Sequence, residues 1–218
     1  MYLPSEFKED RVPVLHEAMR AIAFGTLVTL GQNGMVASHI PLLLDEAPAP
    51  FGTLTGHLAR ANPQGHAAAP ETEALAIFLG PQAYVTPSWY PSKAETGRVV
   101  PTWNYVAIHA YGRLRFIDDA AWKRAHVTRL TASQEGKRAT PWAVSDAPAD
   151  YLAGMLKGII GFELPIARLQ GKWKMSQNRK AEDRRGVIAG LGAEDGAGAA
   201  EVAAIMAARA AETKSSEP

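Results

Sequence analysis

Two alternating runs, FGTLVTL at 24–30 and MVASHIPLLL at 35–44, stand on either side of the turn GQNG at 31–34. Apolar and polar residues exchange places along both, so each reads as a strand and the pair as a hairpin. Parallel strands need a crossover of about a dozen residues or more, and the gap here holds far fewer. The early part of the chain is therefore antiparallel. A doubly wound nucleotide-binding sheet, which needs helical crossovers between its strands, does not fit.

The remaining segments extend that pattern. Residues 10–23 read as a helix, with Asp10 placed to cap it, Pro13 in its first turn and Leu15, Met19 and Ile22 on one face. A strand follows at 53–58, then a helical turn over LARANPQG. Two more strands, at 74–80 and 82–90, are expected to meet at Gly80-Pro81, with a polar loop at 91–98. Residues 99–117 read as a long strand with Asn104, Val106, Ile108, Ala110, Gly112, Leu114 and Phe116 on the core side. Its other face carries Trp103, Tyr105, Ala107, His109, Tyr111, Arg113 and Arg115. Helices are expected at 118–135, 147–158 and 176–192, and a strand at 159–175. Segregated strands and helices give a mainly β, antiparallel barrel or sheet with peripheral helices. The division expected is one domain over 1–192 and an Ala-rich tail over 193–218, helical or disordered.

Composition narrows the function classes. With 218 residues the chain can bury a substantial core, and a net charge of +1 gives no global attraction to nucleic acid or membrane. The absence of cysteine excludes disulfides, zinc–thiolate sites and a cysteine nucleophile. No secretory leader and no run near the ~20 apolar residues of a membrane span are visible, so the expectation is a soluble, cytoplasmic protein. The 6 histidines are dispersed without a metal-ligand spacing, and no phosphate-binding loop, dinucleotide fingerprint or zinc-protease motif occurs.

Three segments are polar where apolar residues are expected. In VASHIP, Ser38 and His39 point to opposite faces of a strand, so one polar side chain faces inward or towards a ligand. In LTGHLARANP, a strand runs into a helical turn beside Arg60, an arrangement that suits a phosphate, or equally a surface arginine beside a cap. In GKWKMSQNR, Ser176 or Asn178 suits a helix cap. Capping leaves the two lysines around Trp173 unexplained; they suit a flat anionic ligand or nucleic acid. Lys123, Arg124 and Arg129 on the 118–135 helix read as a solvated face.

At these segments the chain resembles the PaiB-type family of FMN-binding negative transcriptional regulators. The motifs MYLPSEF, FGTLVT, SHIPLLL, GHLARANPQ, AIFLGPQAYVTPSWY, VPTWNY, HAYG, MLKGIIGFEL and WKMSQNR occur in order from Met1 to about Leu191. Gly65-His66 departs from the family's tryptophan after NPQ. The resemblance implies an FMN-binding split β-barrel that pairs as a homodimer, with FMN at the subunit interface. On this likeness Ser38, His39 and Ile40 would lie along the flavin. Thr55, Gly56, His57, Arg60 and Asn62 would surround the phosphate, with Arg60 as its main charge partner. Trp103 and Asn104 would lie near the dimer groove, Lys174 and Gln177 would close the site, and Asn104 should find a backbone group or water. Regulation with DNA as partner is the family's implied role, although the charge does not favour direct DNA binding. The alternatives are an FMN-dependent oxidoreductase or flavin reductase, and a haem-binding barrel with His39, His57 or His109 as axial ligand.

Overall fold

The computed structural model describes residues 1–31, 34–67 and 72–215. A 3₁₀ turn (Ser5–Phe7) precedes β1 (Lys8–Glu9) and α1 (Val12–Ile22). Then come β2 (Phe24–Gly31), β3 (Gly34–Pro41), β4 (Leu43–Asp45), β5 (Thr53–Ala59), α2 (Gln64–Ala67) and β6 (Ala74–Val85). The second half holds α3 (Ser92–Thr96), β7 (Thr102–Gly112), β8 (Arg115–Ile117), α4 (Ala120–Glu135), α5 (Ala149–Lys157), β9 (Ile159–Lys174), α6 (Ala181–Gly192) and α7 (Ala197–Ser215). Among the described residues the strands hydrogen-bond in the order β3-β2-β6-β7-β9-β5-β4, with β1 and β8 also on β9. That order does not close on itself, which leaves β3 and β4 as edge strands.

The chain forms two compact units. The first comprises Met1–Asp10, Leu79–Ile108 and Gln170–Pro218; the second comprises Arg11–Phe78 and His109–Leu169. In the second unit β2 and β3 pair from Phe24↔Pro41 to Gly31↔Gly34, as the alternation demands. The turn residues Gln32 and Asn33 lie outside the described residues. Leu27, Leu54, Leu58, Phe78, Phe162 and Leu164 are fully or almost fully buried and form this unit's core, joined by Leu15 and Met19 from α1. Gly56 makes room for it: a Cβ there would lie 2.8 Å from Phe162 Cε1. Asp10 does not cap α1, whose N-cap is Arg11 without a side-chain bond; Asp10 accepts instead from Lys8, at 2.7 Å.

In the first unit, α6 and α7 supply Val187, Leu191, Val202 and Met206 to a core with Val85, Trp173 and Met175. The Ala-rich segment is thus helical and part of the packing. Gly186 and Gly190 lie against Trp89, whose ring leaves no space for a Cβ at Gly190.

Four expected boundaries shift. Gly80-Pro81 does not separate two strands, because β6 runs through it from Ala74 to Val85; proline favours extended backbone on its N-terminal side. The polar loop at 91–98 contains α3, closed by Gly97 in the left-handed region at φ +65°. The long strand breaks after Gly112, so alternation restarts in β8, where Phe116 is only half-buried. The helix expected from 176 starts at Ala181 as α6, so neither Ser176 nor Asn178 caps it.

Candidate functional site

The polar residues of the second unit gather around edge strand β3. Ser38 and His39 do face opposite sides. On one side Asn62 donates through Nδ2 to Ser38 Oγ at 2.9 Å. On the other, His39 Nδ1 lies 2.9 Å from Thr26 Oγ1 across the β2–β3 pair. His39 is exposed, whereas Ser38 and Ile40 are half-buried. Asn62 holds the following turn as well: its Oδ1 accepts the Gln64 N–H at 3.0 Å. Gln64 is 1% exposed, and its Nε2 reaches Leu27 O at 3.1 Å, Thr29 Oγ1 at 3.0 Å and Val36 O at 3.3 Å. The segment GHLARANPQ is therefore bolted to the hairpin by two amide side chains.

The helical turn itself is a single four-residue segment, α2. Its dipole is correspondingly small, and one of its first N–H groups is already capped. Arg60 donates through Nε to Lys157 O at 2.7 Å and through Nη2 to Ile159 O at 3.2 Å and to Asp118. Asp118 also receives Lys123 Nζ at 2.8 Å. Arg60 first, then Lys123, hold the Asp118 carboxyl well below the usual carboxylate range. Arg60, expected as the main phosphate partner, is thus committed to an internal carboxylate. Lys123 departs from the solvated-face reading of the helix, being 4% exposed, and Arg129 donates through Nη1 to Asp45 Oδ2 at 3.1 Å.

His57 faces a residue outside the expected set. Its Nδ1 lies 3.2 Å from His126 Nε2, and His126 stacks on Trp122 with centroids 5.1 Å apart. Burial lowers the His57 pKa; burial and the neighbouring His57 push His126 down to about 4. Thr55 Oγ1 is buried and has no hydrogen-bond partner among the described residues.

The first unit holds the other expected residues. Trp103 is 53% exposed and meets Tyr84 edge-on at 6.0 Å. Asn104 is fully buried and finds side-chain partners. Its Nδ2 donates to Ser176 Oγ at 3.0 Å and meets Met206 Sδ at 3.3 Å, while Ser176 Oγ donates to its Oδ1 at 3.1 Å. Lys174 donates to Thr102 Oγ1 at 2.6 Å and to Trp103 O, and burial lowers its pKa. Gln177 clasps its own turn, accepting Met175 N–H at 2.7 Å and donating to Trp173 O. Lys172 is buried, with its ammonium 5.4 Å from the Tyr105 ring and 5.5 Å from that of Tyr2. The lysines flanking Trp173 are therefore used within the unit, not presented as a cationic strip.

An open antiparallel sheet with peripheral helices is the frame of a split barrel, and polar side chains pair on both sides of its edge strand β3. Residues 1–168 match the family described as "Putative FMN-binding domain". The chain is 32% identical to "Protease synthase and sporulation protein PAI 2" of Bacillus subtilis, over 94% of this chain and 96% of that protein. It is 38% identical to an uncharacterised Aspergillus fumigatus protein, over 92% of this chain and 95% of the relative. The protein belongs to the PaiB-type FMN-binding family, whose cofactor is FMN. Solved structures agree on the fold. An FAD- and haem-binding protein of Mycobacterium smegmatis aligns with TM-score 0.57 at 17% identity, covering 82% of this chain and 78% of that one. The flavocytochrome Anf3 of Azotobacter vinelandii aligns with TM-score 0.51 at 12% identity, covering 84% and 80%.

The second unit's residues suit such a group. A flavin presents ring carbonyls, an N–H, ribityl hydroxyls and a phosphate. Ser38, Thr26, His39 and Asn62 offer both donors and acceptors, and Thr55 Oγ1 is a buried hydroxyl in want of a partner. The phosphate is the harder match, since Arg60 would have to exchange Asp118 for it. Thr26, Asp118 and His126 escaped the sequence reading. Only Thr26 left a signal there, as the residue facing His39 in the hairpin register.

Proposed function

We propose that this chain binds FMN along the open edge of β3 and acts as a flavin-dependent regulator or sensor, as a homodimer. The observation that carries the cofactor reading is the edge itself. A terminal strand offers backbone donors and acceptors that a ring edge can pair with. Ser38 with Asn62 on one side of β3, and His39 with Thr26 on the other, then orient the ligand. Thr55 Oγ1 supplies a further hydrogen bond, and Arg60 meets the phosphate by releasing Asp118. FMN, when bound, supplies redox chemistry; these side chains hold and orient it. The test is the flavin absorption spectrum of the purified protein with titration of added FMN. Ser38→Ala and Asn62→Ala should each weaken binding about tenfold, the loss of roughly one hydrogen bond. Unchanged affinity in both variants rejects the β3 site.

A separate observation supports the homodimer. The register pairs Phe24 with Pro41, Val28 with Ala37 and Leu30 with Met35. Phe24 is 59% exposed, Leu30 48% and Met35 81%. Such an apolar sheet face on one side of a hairpin suits a second copy. Leu30→Glu with Met35→Glu should yield a monomer by light scattering, and an unchanged mass would exclude this face.

The regulator reading rests on the Bacillus relative's family. α4 and the residues just after it offer little to DNA phosphates, since Lys123 is buried and Arg129 and Arg138 are paired with Asp45 and Glu135. Regulation through a partner protein or small molecule fits better than direct DNA contact. An oxidoreductase would instead show rapid bleaching of the flavin band by NADH or NADPH under anaerobic conditions.

A further inference from the structure

Helix α4 docks on the second unit's sheet across one cross-strand pair, His57 of β5 and Gly161 of β9. Trp122 lies over Gly161, where a Cβ would come within 2.7 Å of ring atom Cε3. One turn on, His126 stacks on Trp122 with an interplanar angle of 10° and brings Nε2 to within 3.2 Å of His57 Nδ1. His126 is 3% exposed, and its Nδ1 is buried without a partner among the described residues. The helix is thus pinned by a contact between two imidazoles.

We propose that the His57–His126 contact is an acid-released latch, holding α4 on the sheet while both rings are neutral and letting it go when they take up protons.

The tautomer that leaves no buried N–H unpaired has the His126 proton on Nε2, donating to the bare Nδ1 of His57. The buried Nδ1 of His126 is then an acceptor without a donor, the cheaper kind of orphan. Protonating His126 places an N–H, on a charged ring, where no acceptor stands. Protonating His57 as well sets two N–H groups against each other across 3.2 Å. The singly protonated pair keeps its hydrogen bond but buries a charged N–H without an acceptor, and the doubly protonated pair cannot keep the contact.

The surrounding charges do not rescue it. Arg129 and Lys123, on α4 itself, oppose protonation. Asp45, at the end of β4, favours it but is paired with Arg129. Glu163 of β9 is engaged by Trp122 Nε1 at 3.4 Å and by Arg115 at 2.8 Å. Asp118, just before the helix, is shared by Arg60 and Lys123. Both imidazoles are held below their usual pKa by burial. The docked state therefore loses stability below pH 6.5, and the loss grows as pH falls towards 4. Because Asp118 and Lys123 tie the start of α4 to Arg60, undocking also loosens the segment that carries Asn62.

Amide hydrogen exchange on the full chain tests this, with rates corrected for intrinsic pH dependence. Between pH 7.5 and 4.5 protection of α4 should fall at least tenfold more than that of α5. In His126→Phe, which keeps an aromatic ring on Trp122 but cannot titrate, the difference should vanish. Uniform protection loss across the second unit, or an equal acid loss in the variant, overturns the latch. If the variant does not fold, imidazole NMR of the native protein decides. A His126 titration that coincides with loss of the α4 amide signals supports the latch. Two independent titrations near 6.5 refute it.

Discussion

Gly161→Ala places one methyl group under Trp122 and tests how α4 is seated. An ideal Cβ at this position would stand 2.7 Å from Cε3, 3.1 Å from Cη2 and closer still to Cζ3. The optimum carbon–carbon separation is about 3.5–4.0 Å, so the ring must retreat by roughly 1 Å. It is not free to do so. The Trp122 N–H is capped by Asp119 at 2.7 Å, its indole N–H reaches Glu163, and its far face is stacked on His126. Overpacking of this kind costs about 1–3 kcal/mol. For a chain of this size that corresponds to a Tm lower by roughly 3–10 °C. The assay is urea and thermal unfolding of the variant, alone and combined with Trp122→Leu. The smaller side chain removes the collision, so the alanine penalty should shrink to below about 0.5 kcal/mol in that background. A single variant within about 0.5 kcal/mol of the native protein would refute the seating argument. So would a penalty that persists without the indole.

The remaining expectations concern buried polar contacts and pH. Asn104→Ala strips Ser176 of its partner in a fully buried place and should cost about 2–3 kcal/mol in denaturant unfolding. Glu9→Gln weakens the ion pair with Arg209, where Glu9 is 4% exposed. A loss of about 2–3 kcal/mol is expected, seen first as faster exchange in α7. His57 and His126 bind protons more readily unfolded than folded, so stability is complete above pH 6.5 and declines as pH falls towards 4. Urea midpoints measured at pH 7.5 and 5 should show that decline, and the His126→Phe variant should show less of it.

Much of the fold could be read locally. The hairpin was written in its period, and residues 118–135 read as the helix that forms α4. The core face of β7 emerged from alternation alone, including the oddity of Asn104. The α3 helix was missed, because the polarity of residues 91–98 argued for a loop. What stayed hidden were contacts between distant segments. Asn104 meets Ser176 72 residues away, His57 meets His126 69 residues away and Arg60 meets Asp118 58 residues away. A lone polar residue announces that it needs a partner without saying which. Arg60 is an example: its place beside a turn was legible, but its pairing with Asp118 was not.

Asn104 is roofed by the thioether of Met206, a residue of α7 that lies beyond the 1–168 span matching the family. The alanine-rich end therefore cannot be treated as a removable appendix. A chain stopped at residue 192 would unroof the Asn104–Ser176 pair and bare the greasy underside of α6. The fault would show as poor yield and clumping during expression, even with every flavin-facing side chain intact.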